Sequence, residues 1–261
     1  MSTGLVRELW DYRDLFYFLT WRDIKIRYRQ TALGAVWAVL QPLLATGVFT
    51  ALFGRVARMP SDGIPYALFA FSALIPWTFF STSLNTAANS LVGNAQLIRK
   101  VYFPRMALPG AAILACTMDF GISSVVLLLM MAYYHMSLSW RFFFWPLLLI
   151  QLIALTTGIS LVLSAINVRY RDVKQALPFT IQILLFLTPV IYPISIIPKR
   201  YRMLVSLNPL TGIIETMRST LLTNRTVDWS LVGTSLILTL AILAAGTIYF
   251  RRVERAFADT I

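Results

Sequence analysis

The chain has 261 residues, of which 58% are hydrophobic and 13% charged, with a formal net charge of +12; an ordinary globular protein has ~45–50% apolar and ~25% charged residues. With a mean hydropathy of +0.71, such a chain cannot cover a water-soluble surface, and disordered, collagen-like and disulfide-scaffold classes are excluded with the soluble one. The cations do not form one patch on a polar domain, as nucleic acid binding would require, but sit between apolar runs, the pattern of membrane topology.

Residues 5–28 read as a helix lying on the membrane. Leu5, Leu9, Tyr12, Phe16 and Leu19 recur at spacings of four and three, which makes one apolar stripe. Arg7, Glu8, Asp11, Asp14 and Arg22 fall largely off it, and Trp10, Trp21 and Tyr28 are amphipathic anchors. Its basic end, Lys25 to Arg29, meets lipid headgroups or a cytosolic partner.

A spanning helix needs ~20 mostly apolar residues. Six stretches qualify: Ala32 to Gly54, Gly63 to about Leu91, Met106 to Tyr134, Phe142 to Val168, Gln175 to Pro198, and Trp229 to Phe250. Lipid offers no partner to an open backbone, so these are predicted helices. The expected fold is an all-α integral membrane protein, one transmembrane domain over residues 1–261 with six spans.

Between the second and third spans lies Asn94 to Arg105, mixed polar and apolar, ending at Pro104. Leu97, Ile98, Val101, Tyr102 and Phe103 are wasted in a plain solvated loop. A short helix with apolar knobs beside Arg99 and Lys100 reads as a docking element for another protein; the plainer reading is an ordinary basic cytosolic loop. In the third span Asp119 is the only acid deep in an apolar stretch. It is a functional group or a polar pin between helices, and both readings stand. Asn167 to Lys174, containing Arg171 and Asp172, is a smaller docking candidate on the same face. After the fifth span, residues 195–222 contain an apolar run, Met203 to Ile214, too short to cross and broken by Asn208-Pro209. It reads as re-entrant or interfacial. Lys199, Arg200 and Arg202 sit at its mouth, guiding an anionic substrate or anchoring to headgroups.

With the N-terminus placed in the cytoplasm, fifteen Lys and Arg residues fall inside and eight outside, so the positive-inside rule puts both termini in the cytoplasm. No P-loop exists: Lys25, Lys100, Lys174 and Lys199 follow Ile, Arg, Val and Pro rather than Gly. His135 and Cys116, single and far apart, hold no metal. Paired carboxylates for acid–base catalysis and the charged relay of a proton-driven transporter are missing as well. What remains is aromatic. Trp37, Phe71, Trp77, Phe80, Phe186 and Tyr192 lie within spans. They pack in the core and against lipid, or they line a path on which sugar rings stack.

Six motifs, in order, resemble the permeases of polysaccharide-export ABC transporters: Leu33 to Pro42, Ile75 to Ser81, Asn94 to Arg105, Tyr170 to Val173, Leu187 to Pro193, and Asn208-Pro209-Leu210 followed by Glu215 and Arg218. The resemblance covers nearly the whole chain and is closest to the O-antigen branch. It implies a homodimer of six-span subunits in the bacterial inner membrane, bound to two cytosolic ATPase subunits that hold the ATP and magnesium; the permease itself binds no cofactor. It implies a coupling helix over 94–103, with Asn94, Leu97, Ile98, Arg99, Lys100, Tyr102, Arg171 and Asp172 facing the ATPase. Trp37, Phe71, Trp77, Phe80, Phe186 and Tyr192 become candidates for a channel between the two copies. Lys199, Arg200, Arg202, Glu215 and Arg218 become candidates for an exit region. The substrate class is a lipid-linked glycan: O-antigen, capsular polysaccharide or teichoic acid. A drug or lipid exporter, a channel without an ATPase, and a membrane-embedded enzyme are the competing readings.

Overall fold

The computed structural model describes residues 11–29, 36–221 and 226–254. The expectations for Leu5, Arg7, Glu8, Leu9, Trp10 and the start of the first span fall outside these residues, as does the side chain of Lys199. Eleven α-helices are described: α1 (Arg13–Arg29), α2 (Val36–Phe49), α3 (Tyr66–Gly93), α4 (Ala95–Lys100), α5 (Ala107–Ala115), α6 (Thr117–Tyr133), α7 (Trp145–Arg169), α8 (Val173–Leu187), α9 (Lys199–Ser206), α10 (Pro209–Leu221) and α11 (Trp229–Glu254).

Five of the expected spans are helical and long enough to cross a membrane: Val36–Val56, Tyr66–Gly93, Ala107–Tyr133, Trp140–Arg169 and Trp229–Glu254. The first changes winding at Thr50, where α2 passes into a π-helical turn ending at Val56. The third bends at Cys116, whose amide closes a tight turn onto the Ile113 carbonyl at 3.0 Å, so α5 and α6 form one interrupted helix. α7 starts at Trp145-Pro146, a proline place that needs no amide donor.

The stretch Gln175 to Pro198 departs from the expected continuous helix. α8 has 15 residues and stops at Leu187. Thr188 is extended (φ −96°, ψ 136°) because Pro189 follows it and its ring excludes the helical conformation one residue earlier. The irregular turn from Thr188 to Ile191 then reaches the level where α3 begins: Tyr66 Oη donates to the Ile191 carbonyl at 2.7 Å.

α3 is the central helix, touching α2, α5, α6, α7, α8 and α10. Its face from Leu68 to Ile75 is closed off from the surface. α11 packs along α7 through glycine. A Cβ on Gly246 would fall 2.2 Å from the Gly158 carbonyl oxygen, and one on Gly158 would meet the Leu243 backbone at 2.8 Å. Small residues let two backbones close up where lipid gives no hydrophobic drive to hold helices together.

α1 lies against α5. The stripe residues Tyr12 and Phe16 are half-buried and Leu19 is buried, and a Cβ on Gly110 would meet the Phe16 ring at 2.8 Å. The stripe thus faces protein at least as much as membrane. Leu19, Ile98, Phe103, Leu108 and Phe250 form one apolar cluster, so α1, α4 and the last turns of α11 gather at one end of the bundle. Arg105 joins them, its amide donating to Glu254 Oε1 at 3.0 Å.

Candidate functional sites and family

Three places concentrate chemistry. The first is the end of the bundle around α4. Its segment begins where Gly93-Asn94 releases α3, and Asn94 Nδ2 donates back to the Ser90 carbonyl at 2.8 Å. Ile98 and Phe103 are plugged into the apolar cluster, and Leu97 packs against it. These anchors push the intervening residues outward: Arg99, Lys100 and Val101 are exposed and Tyr102 is 89% exposed. A hollow of about 320 Å³ is bounded by Ile98, Tyr102 and Arg105. Tyr170, Arg171 and Asp172 are also exposed. A rigidly seated element that offers a tyrosine to solvent suits a protein partner.

The second place lies where the end of α1 meets α6, partly open to the surface. Arg27 and Tyr28, at the end of α1, reach Asp119 on α6. Arg27 Nη1 donates to one carboxylate oxygen and Tyr28 Oη to the other, while Arg27 Nη2 donates to Cys116 Sγ at 3.2 Å. Ser123 Oγ donates to the Ala38 carbonyl at 3.1 Å and ties α6 to α2. Burial pulls the Arg27 guanidinium down, but Cys116 and Asp119 more than offset this and hold it above its ordinary value. Burial and the same carboxylate push the Tyr28 phenol up. The cluster borders a cavity of about 280 Å³, walled also by Trp37, Gln41, Thr78, Phe79 and Thr82.

The third lies around α10, beside the start of α3. All of α10 is buried. Arg218, 0% exposed, pairs with Glu215 Oε1 at 2.6 Å, donates to the Val190 carbonyl at 3.0 Å and lies 3.7 Å from the Phe69 ring centre. Its task follows from the broken crossing after α8: the Thr188–Ile191 turn leaves carbonyls without helical partners, and Arg218 and Tyr66 supply donors. Arg202 donates to the Ser195 and Ile197 carbonyls at 3.0 and 2.9 Å. It lines a wider cavity of about 800 Å³ together with Asp62, Glu215, Ser219, Asp228 and Thr234.

The model of ABC-2 type transporter proteins matches residues 14–222, from α1 to just past the end of α10. The chain belongs to the ABC-2 type transporter family. It is similar over almost its whole length to proteins named O-antigen export system permease protein RfbA. The one from Myxococcus xanthus is 30% identical over 260 residues, 98% of this chain and 99% of the relative; one from Klebsiella pneumoniae is 29% identical over 95% of each. The polysialic acid transport protein KpsM of Escherichia coli is 24% identical over 90% of this chain and 92% of the relative.

In this ABC-2 transporter the residues singled out from sequence divide. Of the coupling residues, Arg99, Lys100, Tyr102, Arg171 and Asp172 share the exposed end, Asn94 and Leu97 are half-buried there, and Ile98 is an anchor in the core. Of the aromatic residues, Phe71, Trp77 and Phe80 are buried among neighbouring helices and serve packing within the subunit. Trp37 is 50% and Phe186 57% exposed, and Tyr192 is half-buried with its hydroxyl donating to the Phe186 carbonyl at 2.9 Å. Of the exit residues, Arg200 is exposed and Arg202 half-buried, whereas Glu215 and Arg218 form an internal clamp. Arg27, Tyr28 and Cys116 were not among the residues singled out as a site. The signal for them was Asp119: a lone carboxylate in a span needs a cation, and the nearest basic run ends at Arg29 just before the first span.

Proposed function

We propose that the chain is the transmembrane permease subunit of an ATP-driven exporter that moves a lipid-linked polysaccharide, O-antigen in first place, across the bacterial inner membrane. The observation that carries this reading is the match to RfbA proteins at 29–30% over nearly the whole chain, against 24% for KpsM. Two copies form the path. The segment Val36–Val56 favours this, because in α2 just Pro42 and Thr46 are buried within the subunit, which leaves Trp37 a face to share. On this reading Phe186, exposed on α8, and the half-buried Tyr192 belong to the same path.

The work comes from two cytosolic ATPase subunits, which carry the ATP and magnesium. Closing on ATP, they press on the α4 element, and because Ile98 and Phe103 are set in the core the push is passed to α1, α5 and α11 as a shift between discrete packings. The excess of cations on the α4 side orients that end, with both termini, toward the cytoplasm.

Gentle co-purification from native membranes tests the reading. An ATPase with an additional carbohydrate-binding domain supports O-antigen export. An ATPase without one favours the capsule reading, for which the KpsM similarity speaks. Recovery of no ATPase, under conditions that preserve other ABC complexes, sinks the exporter reading.

A further inference from the structure

The Arg27–Tyr28–Asp119 cluster brings charge into a bundle whose surroundings are apolar, and in membrane chains such residues mark substrate paths. Its cavity holds about 280 Å³, just under the ~300–1,000 Å³ of drug-sized ligand sites, so it admits one sugar ring rather than an oligosaccharide. Trp37 and Phe79 supply ring faces. The side chains of Gln41, Thr78 and Thr82 also line it and make no hydrogen bond with the described residues. Thr78 and Thr82 are half-buried and Gln41 stands at the exposed rim; unused donors and acceptors around a cavity within an apolar span region favour a polar occupant.

Charge narrows that occupant. Arg27 and Asp119 cancel, and the other lining residues are Tyr28, Cys116 and uncharged side chains. A phosphate near Arg27 would also face the Asp119 carboxylate and gains little. A hydroxyl donates to a carboxylate and accepts from a guanidinium, so it can sit between the two.

We propose that this cavity is a subsite for a single neutral sugar unit of the glycan in transit, and that Arg27 and Asp119 exchange their mutual contact for contacts with its hydroxyls. Thr78, Thr82 and Gln41 take the remaining hydroxyls. This rests on the glycan-export reading above.

The chain contains one cysteine; Cys116 borders this cavity with its thiol buried, so it is labelled only when the Arg27–Asp119 contact opens, and an occupant of the cavity slows that labelling. Everted membrane vesicles carrying the permease with its ATPase and ATP are treated with a polar maleimide. One preparation comes from cells that build the lipid-linked glycan, the other from cells blocked at the first sugar transfer. Wild-type Cys116 is expected to react several-fold more slowly when glycan is present. The paired change Thr78→Val and Thr82→Val keeps shape but removes two hydroxyls, and it should abolish that difference. Asp119→Asn should raise labelling about tenfold without glycan, one to two charge-assisted hydrogen bonds being lost. Should the paired variant fail to insert, Gln41→Leu gives the same comparison. Equal wild-type labelling with and without glycan, while ATP-driven export continues, overturns the subsite and leaves the exporter reading standing. Shielding that survives the hydroxyl-free variants, or that a sugar-free polyprenyl phosphate reproduces, also overturns it. Absence of both ATPase and export would overturn the export reading and the subsite together.

Discussion

Two ion pairs in this protein are built from the same chemistry and sit in opposite surroundings. Arg218–Glu215 is enclosed: its side chains are 0% and 9% exposed, and the guanidinium also serves two backbone carbonyls and an aromatic face. Arg27–Asp119 joins residues far apart in sequence, keeps 24% and 21% exposure, and has an open cavity beside it. The enclosed pair closes a gap in the fold. The half-open pair holds a surface helix onto a span and retains room for something else. Glu215 also borders a cavity, so it is the burial of the cation, complete for Arg218 and partial for Arg27, and not the charges themselves, that separates a clamp from a contact that can change.

Breaking the enclosed pair is expected to have the largest effect. Arg218→Met should lower stability by about 3–5 kcal/mol, since it strands a buried carboxylate, read as a lower melting temperature in detergent. Adding Glu215→Leu should recover part of that loss; no recovery would show that the donors to the Thr188–Ile191 turn matter more than the ion pair. Next comes a contact without charge: Gly246→Leu should cost about 1–3 kcal/mol by forcing α11 off α7, visible in the same melt. The half-open pair should matter less, Asp119→Asn costing about 1–2 kcal/mol because solvent in the cavity compensates Arg27. A loss as large as that of Arg218→Met would erase the distinction drawn here. Smallest for stability is Tyr102→Ala, within about 0.5 kcal/mol for an exposed residue, yet it should uncouple ATP hydrolysis from export. Wild-type export by that variant would sink the coupling role of α4.

Sequence alone revealed much of this, and its failures have physical causes. The five long helices were legible because ~20 uncharged residues in lipid have one low-energy conformation. The extent of the sixth stretch was not: hydropathy runs unbroken through Leu187-Thr188-Pro189, and only the effect of proline on the preceding residue marks the stop. Tyr102 as an outward residue was legible, but Ile98 and Phe103, read with it as docking knobs, are seated in the core, because an apolar–polar mixture in a short loop does not tell which of its apolar residues turn inward. Phe71, Trp77 and Phe80 were placed among path candidates because composition does not tell which face of a span is turned inward. Arg218 was read as an exit charge because the carbonyls it serves lie 28 and 29 residues away and leave no trace in the local pattern. The bond from Arg27 to Asp119, across 92 residues, was hidden for the same reason.

The early end of α8 also sets a length. Fifteen residues at ~1.5 Å each give a rod of about 22 Å, against a hydrocarbon thickness of ~30 Å. Phe179, Ile183, Phe186 and Leu187 project from that rod to the subunit's exterior. The helical rod alone is about 8 Å shorter than the bilayer, and the apolar, irregular stretch from Thr188 to Ile191 extends the crossing beyond it. The far end of this crossing is therefore held by side-chain donors from Tyr66 and Arg218 where the other crossings are held by helical hydrogen bonds.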